Sequence, residues 1–303
     1  MGGDRHALIS EIARETLGDR TIPLMDGPVE HRTLAVDGVR SPVLVAGVSG
    51  ADPGEAVVFV HGNNAGAKWD RLLTPVAGFA RVIAPEMPGF GAADKPSQWP
   101  YTVAAYAAHL DAILGQLGVE RAHLVAHDFG GPWALAWAVD HLDSVASITL
   151  INAPVVIDHF AAKLWRTPVL AEALSRIGNP AVLRRVLAMR DPGLPPDALD
   201  SIAEHMFARG TPDAVVKLYR STGPNALAPY ADRLAGYGGD VLVVWGADDH
   251  YVPFAQTEDY QRIFRNCAVQ PVPGTGHWPW LEQPDVVAGY LTAFLRRQLG
   301  RTA

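Results

Sequence analysis

The apolar positions of this chain are gathered into short, unbroken runs. Ala56-Val57-Val58-Phe59-Val60, Arg81-Val82-Ile83-Ala84, His123-Leu124-Val125-Ala126, Val145 to Ile151, Val241 to Trp245 and Ala268 to Val272 are the clearest. Runs this short and this rich in Val, Ile and Ala suit strands buried on both faces of a parallel sheet. Between them the spacing turns helical: about Lys68 to Ala80, Tyr101 to Leu117, Trp133 to about His141, Phe254 to Phe264, and Pro284 to Leu299. Thr102 is placed to cap the second of these helices and Gly118 to stop it. Strands alternating with helices predict an α/β fold. Ahead of this alternation, His31 to Val36 and Pro42 to Gly47 predict a β-hairpin turning near Asp37-Gly38. Arg5 to Leu17 predicts a short amphipathic helix. The rhythm breaks at Asn152-Ala153-Pro154. From there to about Tyr230 the pattern predicts several helices broken by Pro and Gly, with no clear strand. The expected organisation is a core of residues 1–153 and 231–303, with residues 154–230 inserted as a helical cap.

Composition narrows the class. A chain of 303 residues with 49% hydrophobic content can bury a large core. Its net charge of -7 argues against a nucleic-acid footprint. The single cysteine, Cys267, allows no internal disulfide and fits a reducing compartment. No zinc-type cluster, phosphate loop or dinucleotide fingerprint is present; Gly89-Phe90-Gly91 lacks the third glycine and the following helix. No cofactor and no metal are therefore expected. The polar start lacks a signal-peptide apolar stretch, and the apolar runs are too short to span a bilayer. The expectation is a cytoplasmic protein, monomer or homodimer, with a small-molecule partner and neither nucleic acid nor membrane.

The stretch with the most chemical content is His123-Leu124-Val125-Ala126-His127-Asp128-Phe129-Gly130-Gly131-Pro132. A buried strand turns abruptly into an Ala/Trp/Leu-rich helix. Ala126 and Gly130 flank Asp128 at two positions on either side, as a sharp strand-to-helix elbow requires. The residue usually raised on such an elbow is Ser; here it is Asp. An Asp at this place can also serve simply as the helix cap. Two further candidates, Asp249 and His277, also follow predicted strands, and the carboxyl ends of parallel strands form the ligand crevice of such sheets. The order nucleophile, acid, histidine matches the α/β-hydrolase arrangement.

With these motifs the chain resembles the α/β-hydrolase superfamily, and within it the capped epoxide hydrolase and haloalkane dehalogenase group. The resemblance rests on His61-Gly62-Asn63, Pro88-Gly89-Phe90-Gly91 with Asp94-Lys95-Pro96, His127-Asp128-Phe129-Gly130-Gly131, Trp245-Gly246-Ala247-Asp248-Asp249 with Pro253, and Gly276-His277-Trp278. It implies an α/β-hydrolase fold: a mostly parallel eight-stranded sheet flanked by helices, with an inserted helical cap. It also implies a hydrolase in which Asp128 attacks a saturated carbon and forms an alkyl ester. His277 then activates water against that ester. The resemblance places the acid four residues before the Pro, here Pro253, which implies Asp249 over Asp248 as the partner of His277. The backbone N–H groups of Asn63 and Phe129 are the expected oxyanion hole. His61, His127 and Asp94 are read as loop-shaping.

The leaving group is where the motifs divide. Asn63 stands where dehalogenases place a halide-binding Asn. Phe129 replaces the Trp that would be the second halide donor, and Asn64 replaces a Pro common to both subfamilies. Tyr219, in Leu218-Tyr219-Arg220, resembles the cap tyrosine that protonates an epoxide oxygen; Tyr230 and Tyr251 are weaker candidates. Phe160 and Trp165 in the cap and Trp278 beside the histidine join Asn63 and Phe129 as expected contacts for a hydrophobic substrate. The first expectation is epoxide hydrolysis to a vicinal diol, and the second is haloalkane dehalogenation. Beyond these stand a recruited biosynthetic enzyme of the same fold and a non-catalytic ligand receptor.

Overall fold

The computed structural model describes residues 29–63 and 69–300. The helix expected over Arg5 to Leu17 lies outside them. Eight strands form one sheet: β1 (Glu30–Val36), β2 (Val39–Ala46), β3 (Glu55–Val60), β4 (Val82–Pro85), β5 (Arg121–His127), β6 (Val145–Ile151), β7 (Val241–Gly246) and β8 (Cys267–Val272). Their order is β1-β2-β4-β3-β5-β6-β7-β8. The β1–β2 and β2–β4 pairs are antiparallel and every later pair is parallel. The hairpin turns at Asp37-Gly38, where both residues have positive φ. Its second strand starts at Val39 and not at Pro42, and Pro42 joins the sheet through its carbonyl, which accepts the Glu86 N–H at 2.8 Å.

The helices of the core are α1 (Asp70–Ala77), α2 (Val103–Gln116) and α3 (Gly130–Ala138). In α2, Thr102 Oγ1 accepts the Ala105 N–H at 3.2 Å, which satisfies one of the orphan donors at the helix start. Gly118, at φ +64°, ends it. The interval between β6 and β7 carries α4 (Phe160–Arg166), α5 (Leu170–Ile177), α6 (Pro180–Arg190), α7 (Pro196–Met206), α8 (Thr211–Ser221) and α9 (Ala231–Leu234), with no strand among them. After β7 come a 3₁₀ turn (Phe254–Gln256), α10 (Thr257–Ile263), α11 (Pro279–Glu282) and α12 (Pro284–Gln298).

Two apolar layers clamp the sheet. Val58, Val60, Leu124 and Ile148 pack towards α2 and α3, with Tyr106 and Trp133 stacked between them at 3.8 Å. Val57, Phe59, Val125 and Val244 pack towards α1 and α12. Strand side chains alternate faces, so one unbroken apolar run feeds both layers. No helix among the described residues is long and apolar enough to cross a membrane.

Candidate active site

Asp128 sits immediately after β5 with φ +51°, a left-handed conformation that non-glycine residues seldom hold. Crowding explains why the neighbours are small. A Cβ on Gly130 would stand 2.1 Å from the Val60 carbonyl oxygen, and one on Gly62 would stand 2.3 Å from Asp128 Oδ2. Helix α3 begins after Phe129, and no side chain caps it. Asp128 is thus released from capping and turned instead towards the loops that follow β3 and β8.

Its two carboxylate oxygens have different surroundings. Oδ2 accepts the Asn63 backbone N–H at 3.1 Å, and the Phe129 backbone N–H also donates to the carboxylate. Oδ1 lies 3.8 Å from His277 Nε2. Burial raises the Asp128 pKa above the usual carboxylate range, and the nearby His277 together with the two backbone donors works against that rise.

His277 follows β8. Its Nδ1–H donates to Asp249 Oδ2 at 2.7 Å, which leaves Nε2 facing Asp128. Burial disfavours a charged imidazole, but Asp249, Asp128 and Asp191 outweigh it and lift the His277 pKa to about 9. Asp249 is held by four donors. Tyr251 N–H and Val252 N–H give to Oδ1 at 2.7 and 2.9 Å, while Asn152 Nδ2 and His277 give to Oδ2, each at 2.7 Å. Burial acts to raise its pKa, yet His277 and these bonds hold it below the ordinary value. Asp248 takes no part in the group.

Two residues passed over in the sequence belong here. Asn152, at the end of β6 with φ +42°, gives its amide to Asp249 and accepts the Gly246 N–H at 3.0 Å. An Asn closing a strand beside the crevice, where αL geometry suits Asn, was its signal. The second is His159, the cap of α4. Its Nδ1 accepts the Ala162 N–H at 3.2 Å, so a neutral ring carries its proton on Nε2. Burial pushes its pKa down to about 4, which keeps the ring neutral.

A cavity of about 160 Å³ opens over Asp128 and His277. The helical stretch between β6 and β7 supplies much of its wall through His159, Trp165, Leu187, Met206 and Tyr219. Asn63, Tyr251 and Trp278 complete the floor and side. Tyr219 Oη accepts the Asn63 side-chain amide at 3.1 Å, and burial with the Asp128 charge keeps the phenol protonated far above neutral pH. The Phe129 ring is fully buried against Tyr219, 5.1 Å away and edge-on, so only its backbone faces the carboxylate. Phe160 is 75% exposed and is not among the cavity-lining residues; its neighbours His159 and Ala161 are. Tyr230 also lies outside the lining, whereas Tyr251 is part of it.

The loop-shaping residues have their bonds accounted for. His61 Nδ1 donates to the Gly62 carbonyl at 2.6 Å and Nε2 accepts the Met87 N–H at 2.9 Å. His127 Nε2 meets the His277 carbonyl at 2.9 Å. Asp94 binds both the guanidinium and the backbone N–H of Arg40. Among the described residues no group of His, Cys, Asp or Glu is arranged to hold a metal ion.

An elbow after the fifth strand, a histidine after the eighth and a carboxylate after the seventh define a hydrolase site on a doubly wound sheet. Residues 55–284 match the α/β hydrolase fold family, and the chain belongs to it. Among curated relatives, 2-hydroxy-6-oxo-2,4-heptadienoate hydrolase of Pseudomonas putida is 26% identical over 244 residues, covering 76% of this chain and 85% of that protein. Epoxide hydrolase 3 of Xenopus tropicalis is 26% identical over 255 residues, covering 75% and 67%. Among solved structures, the epoxide hydrolase CorEH superposes with a TM-score of 0.76 at 18% identity, covering 89% of this chain and 99% of that one, a likeness of fold. The chain is a hydrolase of the α/β fold.

Proposed function

We propose that this hydrolase opens a hydrophobic epoxide through an alkyl ester on Asp128 and releases a vicinal diol. The observation that carries the reading is the hydrogen bond between Asn63 and Tyr219. The Asn63 amide, which would be a halide donor, is occupied by Tyr219 Oη. Because that oxygen accepts, its own proton is free for the cavity. Phe129, which stands where the second halide donor would be expected, carries no side-chain N–H. A site with a phenol proton to give, and with its Asn63 amide already bonded to that phenol, fits an oxygen leaving group.

The steps follow from the geometry. Asp128 Oδ1 attacks a ring carbon and the C–O bond breaks. Tyr219 passes its proton to the departing oxygen, and His159 Nε2–H, on the same cavity wall, steadies the developing charge. Asp128 is now a neutral ester. One of the anions that raised the His277 pKa has gone, so the imidazolium gives up its proton, which restores the Tyr219 phenol, and the neutral imidazole becomes a general base. It takes a proton from water, whose oxygen attacks Cγ of Asp128. The oxyanion that forms is held by the N–H groups of Asn63 and Phe129. Collapse breaks the ester, His277 returns its proton to the diol oxygen, and the second proton of the water, left on the Asp128 carboxyl, passes to His277 and restores the resting ion pair. Asp249, fixed by Asn152, Tyr251 and Val252, holds the imidazole in register throughout. The helices over the cavity act as the cap that keeps bulk water away.

A substrate panel tests the assignment. Apolar epoxides should give diols, and intact mass after reaction of His277→Gln should show Asp128 carrying the epoxide. Halide release with no diol would transfer the site to dehalogenation. Turnover confined to oxo-dienoates or esters, with no adduct, would remove the alkyl-ester step.

A further inference from the structure

The helices that wall the cavity are apolar on their outer side as well. Of the eight large hydrophobic residues that stand exposed among the described residues, seven lie between residues 160 and 189. Phe160, Val169, Ile177, Val182 and Met189 are each between 58% and 79% exposed. In α6 the two faces separate by helical spacing. Leu183 and Leu187 line the cavity, while Val182, Val186 and Met189, at i, i+4 and i+7, form a stripe that faces solvent. Val169 is held outward on a backbone of φ +66°, a conformation that is rare for a β-branched residue.

The charge of this stretch runs against that of the molecule. Residues 160–190 carry six basic side chains and one acidic one, in a chain of net charge -7. Lys163 pairs with Asp158, Arg184 with Asp200, and Arg220 of α8 with the lone acid Glu172. Arg166 is turned inward onto the carbonyls of Ile157, Tyr219 and Thr222. Arg176 and Arg185 stand exposed between the apolar side chains, and Arg190, also exposed, lies over the Tyr251 ring at 5.5 Å.

We propose that this face, α4 to α6, docks the protein peripherally on an anionic lipid bilayer. Aliphatic and aromatic side chains interleaved with arginines are what the boundary between headgroups and acyl chains accepts. Two copies meeting through this face would bring like charges together, so charge favours a lipid partner over self-association. The cavity wall gives the docking a use. The inner sides of the same helices carry Trp165, Leu183 and Leu187, so a docked molecule holds its cavity wall against the layer in which apolar compounds concentrate. Sequence reading excluded a membrane partner for want of a span, whereas peripheral docking needs only a face. The inference does not rest on the epoxide reading.

Co-sedimentation of the full chain with vesicles of equimolar phosphatidylglycerol and phosphatidylcholine tests it, against vesicles of phosphatidylcholine alone. The wild type should pellet with the anionic vesicles, less with the neutral ones, and less again as salt is raised. Arg176→Glu with Arg185→Glu should weaken anionic binding about tenfold or more. Val182→Glu with Met189→Glu should abolish it, with turnover of a water-soluble substrate unchanged because neither residue lines the cavity. Near-UV circular dichroism verifies that each variant is folded, and if the glutamate pair fails to fold the arginine pair decides. Equal binding by wild type and variants, or none by wild type, overturns the proposal. So does a dimer that the glutamate pair splits while vesicles are ignored, which would make the face an interface between copies.

Discussion

In the proposed mechanism Tyr219 lends a proton to the leaving oxygen and His277 takes one from water. Tyr219→Phe leaves the ring edge-on against Phe129 but removes the phenol. Epoxide opening should slow by about 100-fold, the scale of one general acid. Single-turnover formation of the Asp128 ester reads this directly, and halide release from any haloalkane accepted should not fall, since the Asn63 amide is freed. Asp128 must be ionised to attack, and burial raises its pKa. Ester formation should therefore fall, as pH drops, at higher pH than an exposed aspartate would allow, and stopped-flow single turnovers across pH would show it. His277 has its folded pKa raised to about 9 from an ordinary 6.5. The stability this adds is fully present below about 6.5 and is lost as pH rises through about 9. Urea midpoints should show wild type losing more than His277→Gln over that interval; parallel curves would contradict the ion pairing.

At the scale of elements, the elbow fixes everything else. Its geometry depends on Gly130 lying against β3, so Gly130→Ala must push Val60 aside or abandon the positive φ at Asp128. A loss of roughly 3 kcal/mol, or failure to fold, is the expected result, and thermal melting checks it. Most strands and core helices were legible in the sequence because each apolar run satisfies both faces of the sheet. The hairpin was legible at its turn but not at its second strand, since Pro42 contributes a carbonyl and does not need its missing N–H. Asp128, Asp249 and His277 were legible because each follows a strand, and strand ends converge. Asn152 and His159 were not. One acts through another carboxylate, and the other doubles as a helix cap, so neither leaves a periodic trace. Phe160 misled because hydrophobicity alone does not say which side of a short helix faces the cavity. Its neighbours on either side line the cavity, and it faces out.

The whole molecule combines a rigid sheet with a helical stretch that decides what enters. In the proposed mechanism the loops at the strand ends supply the nucleophile, base and oxyanion donors, while the helices supply Tyr219, His159 and the apolar wall. Selectivity should therefore change with the wall while the chemistry persists. Trp165→Ala should raise KM for small apolar epoxides and leave the ester-forming machinery in place, as steady-state and single-turnover rates measured together would show. The chain is as similar to a dienoate hydrolase as to an epoxide hydrolase, 26% identical to each. Asp at the elbow is what separates an ester formed on the enzyme's own carboxylate from acyl transfer to a serine. One turnover in heavy-oxygen water, with excess enzyme over an apolar epoxide, tests this directly. The label should enter the Asp128 side chain and be found in its peptide by mass spectrometry, with unlabelled diol released. Label in the diol and none in Asp128 would mean that water attacks the substrate itself, and the alkyl-ester mechanism would fall.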